Sequence, residues 1–362
     1  MPPPPAGPEL LLRVLVRPAC MAELTEAEWD DVLALARTSH LMGRLAADAQ
    51  ACGIADRAPS RVRAQFSAAT ALAAHHGRTV RWELDRIERA LQHLRIPILL
   101  LKGAAYVAAG LPAARGRLLS DIDIMVPRAA LDGAEAALEE AGWRPIKLDP
   151  YDQRYYRTWM HELPPLVHSQ RGTVVDLHHT ILPPTSRLKP DPAQLWSAAQ
   201  PLDAGPFHVL APPDMVLHSA AHLFHDGDLR LSARELVGIA DLLGHFEKSE
   251  RDFWPRLVAR AAELNLGRPL FYALRYCRRL LGVPIAHNVL SATTRYAPPL
   301  PIIEAMDRLV PRALVASSLD GAAERSAAML LYIRSHWLRM PPWLLARHLT
   351  HQTIARLKQD SR

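Results

Sequence analysis

Only three cysteines occur in 362 residues, and Cys20, Cys52 and Cys277 are too far apart to make a CxxC pair. That argues against a disulfide framework and a thiolate zinc site, and it fits a chain kept in a reducing cytoplasm. Lysine is also scarce, with five against 38 arginines, a formal net charge of +6 and a pI near 9.4. We read this first as a solvated basic surface; a nucleic-acid or anionic-substrate surface is the less favoured alternative. Aromatic residues make up 6% of the chain, while alanine and leucine abound, which favours helix over strand. No charge-free apolar window reaches the roughly 18 residues that a membrane span needs. The N-terminus, MPPPPAGPELLLRVLVRPAC, has no basic n-region, and Arg13 interrupts its apolar run, so it does not read as a signal peptide. Neither a Walker A motif, nor GxGxxG, nor a nucleophile elbow is present.

At 49% hydrophobic, the chain has enough apolar residues for a sizeable core. Residues 1–8 read as a disordered Pro-rich tail and residues 9–95 as a helical N-terminal region. Thr25-Glu26-Ala27-Glu28 has the form of a capping box, and a second long pattern follows Pro59-Ser60 to about Leu94. The period then changes. Ile96 to Leu101 is a short apolar run, Gly103 opens a helix, and Asp121 to Val126 alternates as a strand. A helix from Arg128 to Ala141 comes next. Strands are predicted at Trp143 to Leu148, Arg154 to Met160, Leu163 to Ser169 and Thr173 to Thr180. Residues 96–182 therefore form a sheet-bearing core, and 183–362 a mainly helical domain with a short strand at Phe207 to Leu210. The class is α+β: a small mixed β-sheet with helical regions before and after it.

Chemistry is concentrated in ILLLKGAAYVAAGLPAARGRLLSDIDIMV, residues 98–126. Asp121 and Asp123 stand at i and i+2 on a strand, so they share a face about 7 Å apart. Two like charges beside an apolar face are costly without a cation between them, and Mg²⁺ prefers such oxygen ligands. A bare Asp-x-Asp is equally what an exposed edge strand with two solvated acids looks like. Gly103 at a helix start offers free N–H groups to phosphate, with Lys102 beside it as a compact charge. Asp176, in Val174-Val175-Asp176-Leu177-His178, alternates in the same way and would complete a three-carboxylate cup if its strand lies alongside.

Leu101-Lys102-Gly103, Arg117-x-x-Ser120-Asp121-Ile122-Asp123 and Val175-Asp176-Leu177-His178 together resemble the DNA polymerase β-type nucleotidyltransferase superfamily. Within it they are most similar to the bacterial uncharacterised nucleotidyltransferases, closely over residues 95–182 and more loosely in the tail. The resemblance implies two Mg²⁺ ions and an NTP donor. Asp121 and Asp123 would ligate both ions. Asp176 would ligate the catalytic ion and help activate an acceptor hydroxyl. Gly103 would hold the triphosphate beside Lys102, while Ser120 and Arg117 match positions next to the active strand, Arg117 neutralising phosphate charge. Ala104 departs from the superfamily's usual Gly or Ser. The implied product is a nucleoside monophosphate on a small-molecule, peptide or protein acceptor, with nucleic acid less favoured. Phosphoryl transfer on the same fold, or a partner-binding scaffold that has lost catalysis, are the alternatives.

Three other features compete for a role. His218 and His222 are spaced i, i+4 with His225 nearby, but no HExxH glutamate accompanies them, so a helix facing the cleft or core is the simpler reading. His178 shares the face of Asp176. The basic, tryptophan-containing stretch from Leu331 to Arg362, with a helix expected at 343–358, reads as a docked terminal helix more readily than a membrane-surface one.

Overall fold

A computed structural model describes residues 7–146, 150–203, 205–226, 229–315, 321–341 and 345. It is an α+β structure: one mixed seven-stranded sheet surrounded by helices. Among the described residues, no helix is long and apolar enough to cross a membrane.

Four helices, Gly7–Val16, Glu26–Thr38, Met42–Ala51 and the 32-residue Ser60–Leu91, make the N-terminal region. The expected capping box is present, with Glu28 N–H donating to Thr25 Oγ1 at 3.3 Å and Thr25 N–H to Glu28 Oε2 at 2.9 Å. The first helix starts at Gly7, so Gly7 and Pro8 are not part of a disordered tail. Gly7 packs so closely under Leu35 that a Cβ there would lie 3.2 Å from Leu35 Cδ1. Residues 1–6 lie outside the described part.

The strands are β1 (Ile98–Leu100), β2 (Ile122–Met125), β3 (Trp143–Pro145), β4 (Leu166–His168), β5 (Val174–His178), β6 (Gln200–Pro201) and β7 (Phe207–Val209). Their spatial order is β3-β4-β5-β2-β1-β7-β6. β2 runs antiparallel to β1 and parallel to β5, while β1 runs parallel to β7. β2 is therefore a central strand, buried along its whole length. An exposed edge strand with two solvated acids is excluded.

One expected strand is a helix. Arg154 to Met160 falls on the helix Pro150–Trp159, apart from Met160 itself. Tyrosines suit strands by propensity, but Tyr151, Tyr155 and Trp159 recur every four residues. Their rings pack in sequence, Tyr151 on Tyr155 at 6.4 Å and Tyr155 against Trp159 at 6.0 Å. That apolar stripe, with Met160 and Met340, outweighs the propensity of single residues. The strand expected to reach Leu148 ends at Pro145, and residues 147–149 are outside the described part.

The C-terminal part is mainly helical, with Pro212–Ala221, Ala233–Ser249, Phe253–Glu263, Gly267–Leu281, Leu300–Leu314 and Ala322–Arg339. The helix expected at 343–358 lies outside the described residues except for Leu345. Buried side chains from Leu10 through Ile124 to Leu331 belong to one contiguous core. Apolar residues of β1, β2 and β5 belong to that core, while the edge strand β6 is exposed.

Candidate active site

Parallel pairing of β2 with β5 sets Asp123 directly against Asp176. Register neighbours in a sheet share a face, and Asp121 precedes Asp123 by two residues, so the three carboxylates converge as the alternation implied. Asp123 is 3% exposed, whereas Asp121 and Asp176 are half-buried at the mouth of the site. β1 lies on the other side of β2. Just after it, Leu101 N–H donates to Asp123 O at 3.0 Å, and the chain then turns at Lys102 through a φ of 45°. Left-handed backbone is unusual for lysine and costs of order 1 kcal/mol. It aims the ammonium at the acids, with Lys102 Nζ donating to Asp123 Oδ1 at 2.7 Å. His178 Nε2 reaches the same oxygen at 3.0 Å.

The carboxylates respond differently to this crowding. Burial raises all three, but Lys102 and the His178 hydrogen bond overcome it at Asp123 and hold that carboxyl well below its ordinary range. Asp121 is raised, by burial and by Asp123, and Ser120 against it limits the rise. Asp176 is pushed up to about 7, by burial first and then by Glu162 and Asp123. His178, although buried, is raised by its bond to Asp123 and by the charge of Glu162.

Arg117, Gly103 and Ser120 adjoin this row. Arg117 Nη2 donates to both carboxylate oxygens of Glu235, at 3.0 and 2.9 Å, and its guanidinium lies 5.6 Å from the centre of the Tyr106 ring. Its side chain is 8% exposed, so Glu235 already meets its charge. At Gly103 a Cβ would meet Leu119 at 2.8 Å and Arg117 Nε at 3.2 Å, so the glycine lets the Leu118–Ser120 segment press onto the helix Lys102–Ala108. His76 of the long N-terminal helix accepts from Leu119 N–H at 2.8 Å. Ser120 and Asp121 line a cavity of about 170 Å³ that His76, Thr79 and Glu83 close from that helix.

A family model described as uncharacterised nucleotidyltransferase matches residues 25–282. The chain belongs to this family. The match runs from the capping threonine of the second helix to the glycine that ends Gly267–Leu281, so it takes in helices on both sides of the sheet. No curated protein and no solved structure matches the chain.

For a nucleotidyltransferase, the donor set suits a hard divalent cation. Asp176 Oδ1 is buried with no hydrogen-bond partner, an arrangement that costs free energy unless a cation or a proton meets it. Four acids, Asp121, Asp123, Asp176 and Glu162, gather around Lys102 and the imidazoles of His178 and His161, and a metal ion would add positive charge among them.

Some groups here escaped the sequence reading. Glu162 and His161 sit in a short aperiodic segment between helix and strand, where no spacing marks them. The pairing of Glu235 with Arg117, more than a hundred residues away, has no local signal either. The His218 side chain is 2% exposed and is held neutral by burial, with the charge of Lys102 adding to the effect, which puts it on the site's flank as a cleft-facing helix would. His225 Nε2 instead pairs with Ser186 Oγ at 2.7 Å, and among the described residues the three C-terminal histidines form no metal-binding group.

Proposed function

We propose that this chain transfers a nucleoside monophosphate from an NTP to a hydroxyl or phosphate acceptor, releasing pyrophosphate. The observation that carries the reading is the register of Asp123 with Asp176, which aligns three carboxylates beside a fixed ammonium. Asp121, Asp123 and Asp176 would hold two Mg²⁺ ions, which bring positive charge to the attacking and leaving oxygens of an in-line displacement. Lys102 and Gly103 stand at the start of a helix on the same side and would receive the triphosphate.

In this scheme the acceptor oxygen forms a bond to the α-phosphorus while the bond to pyrophosphate breaks. Asp176 would help activate the acceptor hydroxyl and take up its proton. Arg117 acts at one remove, holding the Leu118–Ser120 segment and Glu235 in place. The cavity of about 170 Å³ beside Asp121 is small against the roughly 300–1,000 Å³ of ordinary ligand sites, so it would take only part of an NTP. The acceptor is a small molecule, peptide or protein. We assign the chain to the cytoplasm, a placement its three free cysteines support.

The test is label transfer from α-labelled NTPs in Mg²⁺ with a cell extract as acceptor source, followed by mass spectrometry of the labelled product. Wild type should label an acceptor and release pyrophosphate, and Asp123→Asn should not. Equal labelling by both proteins refutes the assignment, and release of a nucleoside diphosphate assigns phosphoryl transfer instead.

A further inference from the structure

Beside the carboxylate row lies a second group of metal-type side chains. Leu163 N–H donates to Leu177 O at 2.9 Å and His179 N–H to His161 O at 3.0 Å, laying residues 161–163 antiparallel along the end of β5. A bridge there pairs Glu162 with His178. Opposed residues of an antiparallel pair point to one face, so Glu162 joins His178 on the face that carries Asp176. Glu162 Oε2 stands 3.3 Å from His178 Nε2 and 3.6 Å from His161 Nε2. One ligand atom from each of the three lies within 4.8 Å of the others. The imidazoles are buried, at 4% and 0% exposed, while the Glu162 side chain keeps 17%.

The two distances from Glu162 to the imidazole nitrogens match a coordination sphere. Ligands bound at about 2.0–2.1 Å in a tetrahedron sit about 3.3 Å apart. The hydrogen count points the same way. His178 Nε2 faces two carboxylate oxygens, Asp123 Oδ1 at 3.0 Å and Glu162 Oε2 at 3.3 Å, yet carries at most one hydrogen. A cation between Glu162 and His178 removes that mismatch, because Nε2 then gives its lone pair to the ion. Asp123 Oδ1 is already at ligand spacing from Nε2 and becomes the fourth donor, while Lys102 still neutralises it.

We propose that His161, Glu162 and His178 bind a divalent transition-metal ion of the zinc–cobalt type, next to the aspartate row and joined to it through Asp123. Two imidazoles and one carboxylate select such an ion over Mg²⁺. His178 Nδ1 has no hydrogen-bond partner, and an unsupported metal-bound imidazole typically loses about 10–100-fold in affinity. The ion is therefore exchangeable rather than a permanent structural one. The inference reaches beyond nucleotidyl transfer, since the site would bind its ion whether or not the aspartates catalyse.

The experiment is titration of the chelator-stripped full-length chain with Co²⁺, followed in the visible spectrum without NTP. One Co²⁺ per chain with the intense absorption of four- or five-coordination is expected. His161→Asn and Glu162→Gln should each weaken binding by about tenfold or more. Asp121→Asn should keep the band, which separates this site from the Mg²⁺ positions. A pale, six-coordinate spectrum overturns the proposal, as does a band lost in Asp121→Asn but kept in His161→Asn. Should His161→Asn fail to fold, the electron paramagnetic resonance of wild type loaded with one Cu²⁺ decides. Nitrogen splittings from two imidazoles support the site, and their absence refutes it. Label transfer in Mg²⁺ is a separate measurement, so either result can fail alone.

Discussion

Asp176→Asn should make the metal-free protein more stable while removing its activity. In the folded chain the Asp176 carboxyl is pushed from 3.8 to about 7, by burial first and by Glu162 and Asp123 next. At about 1.4 kcal/mol for each pH unit of displacement, ionising this group in place costs about 4 kcal/mol. A carboxyl raised on folding costs nothing below its ordinary value, where both states are protonated. The cost grows as pH rises from about 4 to about 7 and is constant above. Asparagine keeps the shape and carries no charge. Urea unfolding in chelator should therefore give the variant an advantage that is small near pH 4 and reaches a few kcal/mol at pH 8. On the proposed reading, in which the wild-type carboxylates hold Mg²⁺, the ion should reverse the order, because a ligand of the folded state alone stabilises that state. An advantage that is absent at pH 8, or that shrinks as pH rises, would refute the idea that these acids are clustered at one another's expense.

Two further outcomes concern the frame around the acids. Gly116, at φ 66°, meets Gly43 so closely that a Cβ would stand 2.1 Å from Gly43 C. Gly116→Ala should cost about 2–5 kcal/mol, from left-handed strain plus overpacking against backbone that cannot yield, and a loss under 1 kcal/mol in a denaturant melt would contradict this. Glu235 is held at about 2, the pull of Arg117 and Arg234 overcoming burial. Its ion pair should stabilise in full above about pH 4.5 and be lost as pH falls toward 2, while Glu235→Gln should cost about 3–5 kcal/mol at neutral pH and flatten that acid limb of the stability curve.

How much could be read in advance depended on the range of each interaction. Asp121, Asp123 and Asp176 were legible because a strand repeats every two residues, and the apolar positions between them announced which face each acid takes. The capping box at Thr25 was legible because it is complete within four residues. The helix Pro150–Trp159 stands where a strand is expected over Arg154 to Met160: tyrosine favours strands by propensity, but its four-residue spacing there is what tertiary packing rewards. Glu162 carries no local signal: a bridge to His178 puts it in the site, and nothing in residues 159–163 hints at that bridge. The left-handed turn at Lys102 was equally hidden, since such backbone is ordinarily expected at glycine, which here is its neighbour.

The pairing of β1 with β7 has a consequence for how the protein is made. β1 has β2 on one side, and its other edge is covered only by β7, parallel to it and more than a hundred residues later. Parallel pairing over such a distance is slow to form and leaves an unpaired edge in the meantime. Glu235, which fixes Arg117, is made later still. A nascent chain that has emerged only as far as Asp176 therefore holds every carboxylate of the site but lacks the strand and the anion that set its geometry. Activity should appear late in synthesis and all at once. Until then, chaperones have an apolar strand edge at Ile98–Leu100 to protect.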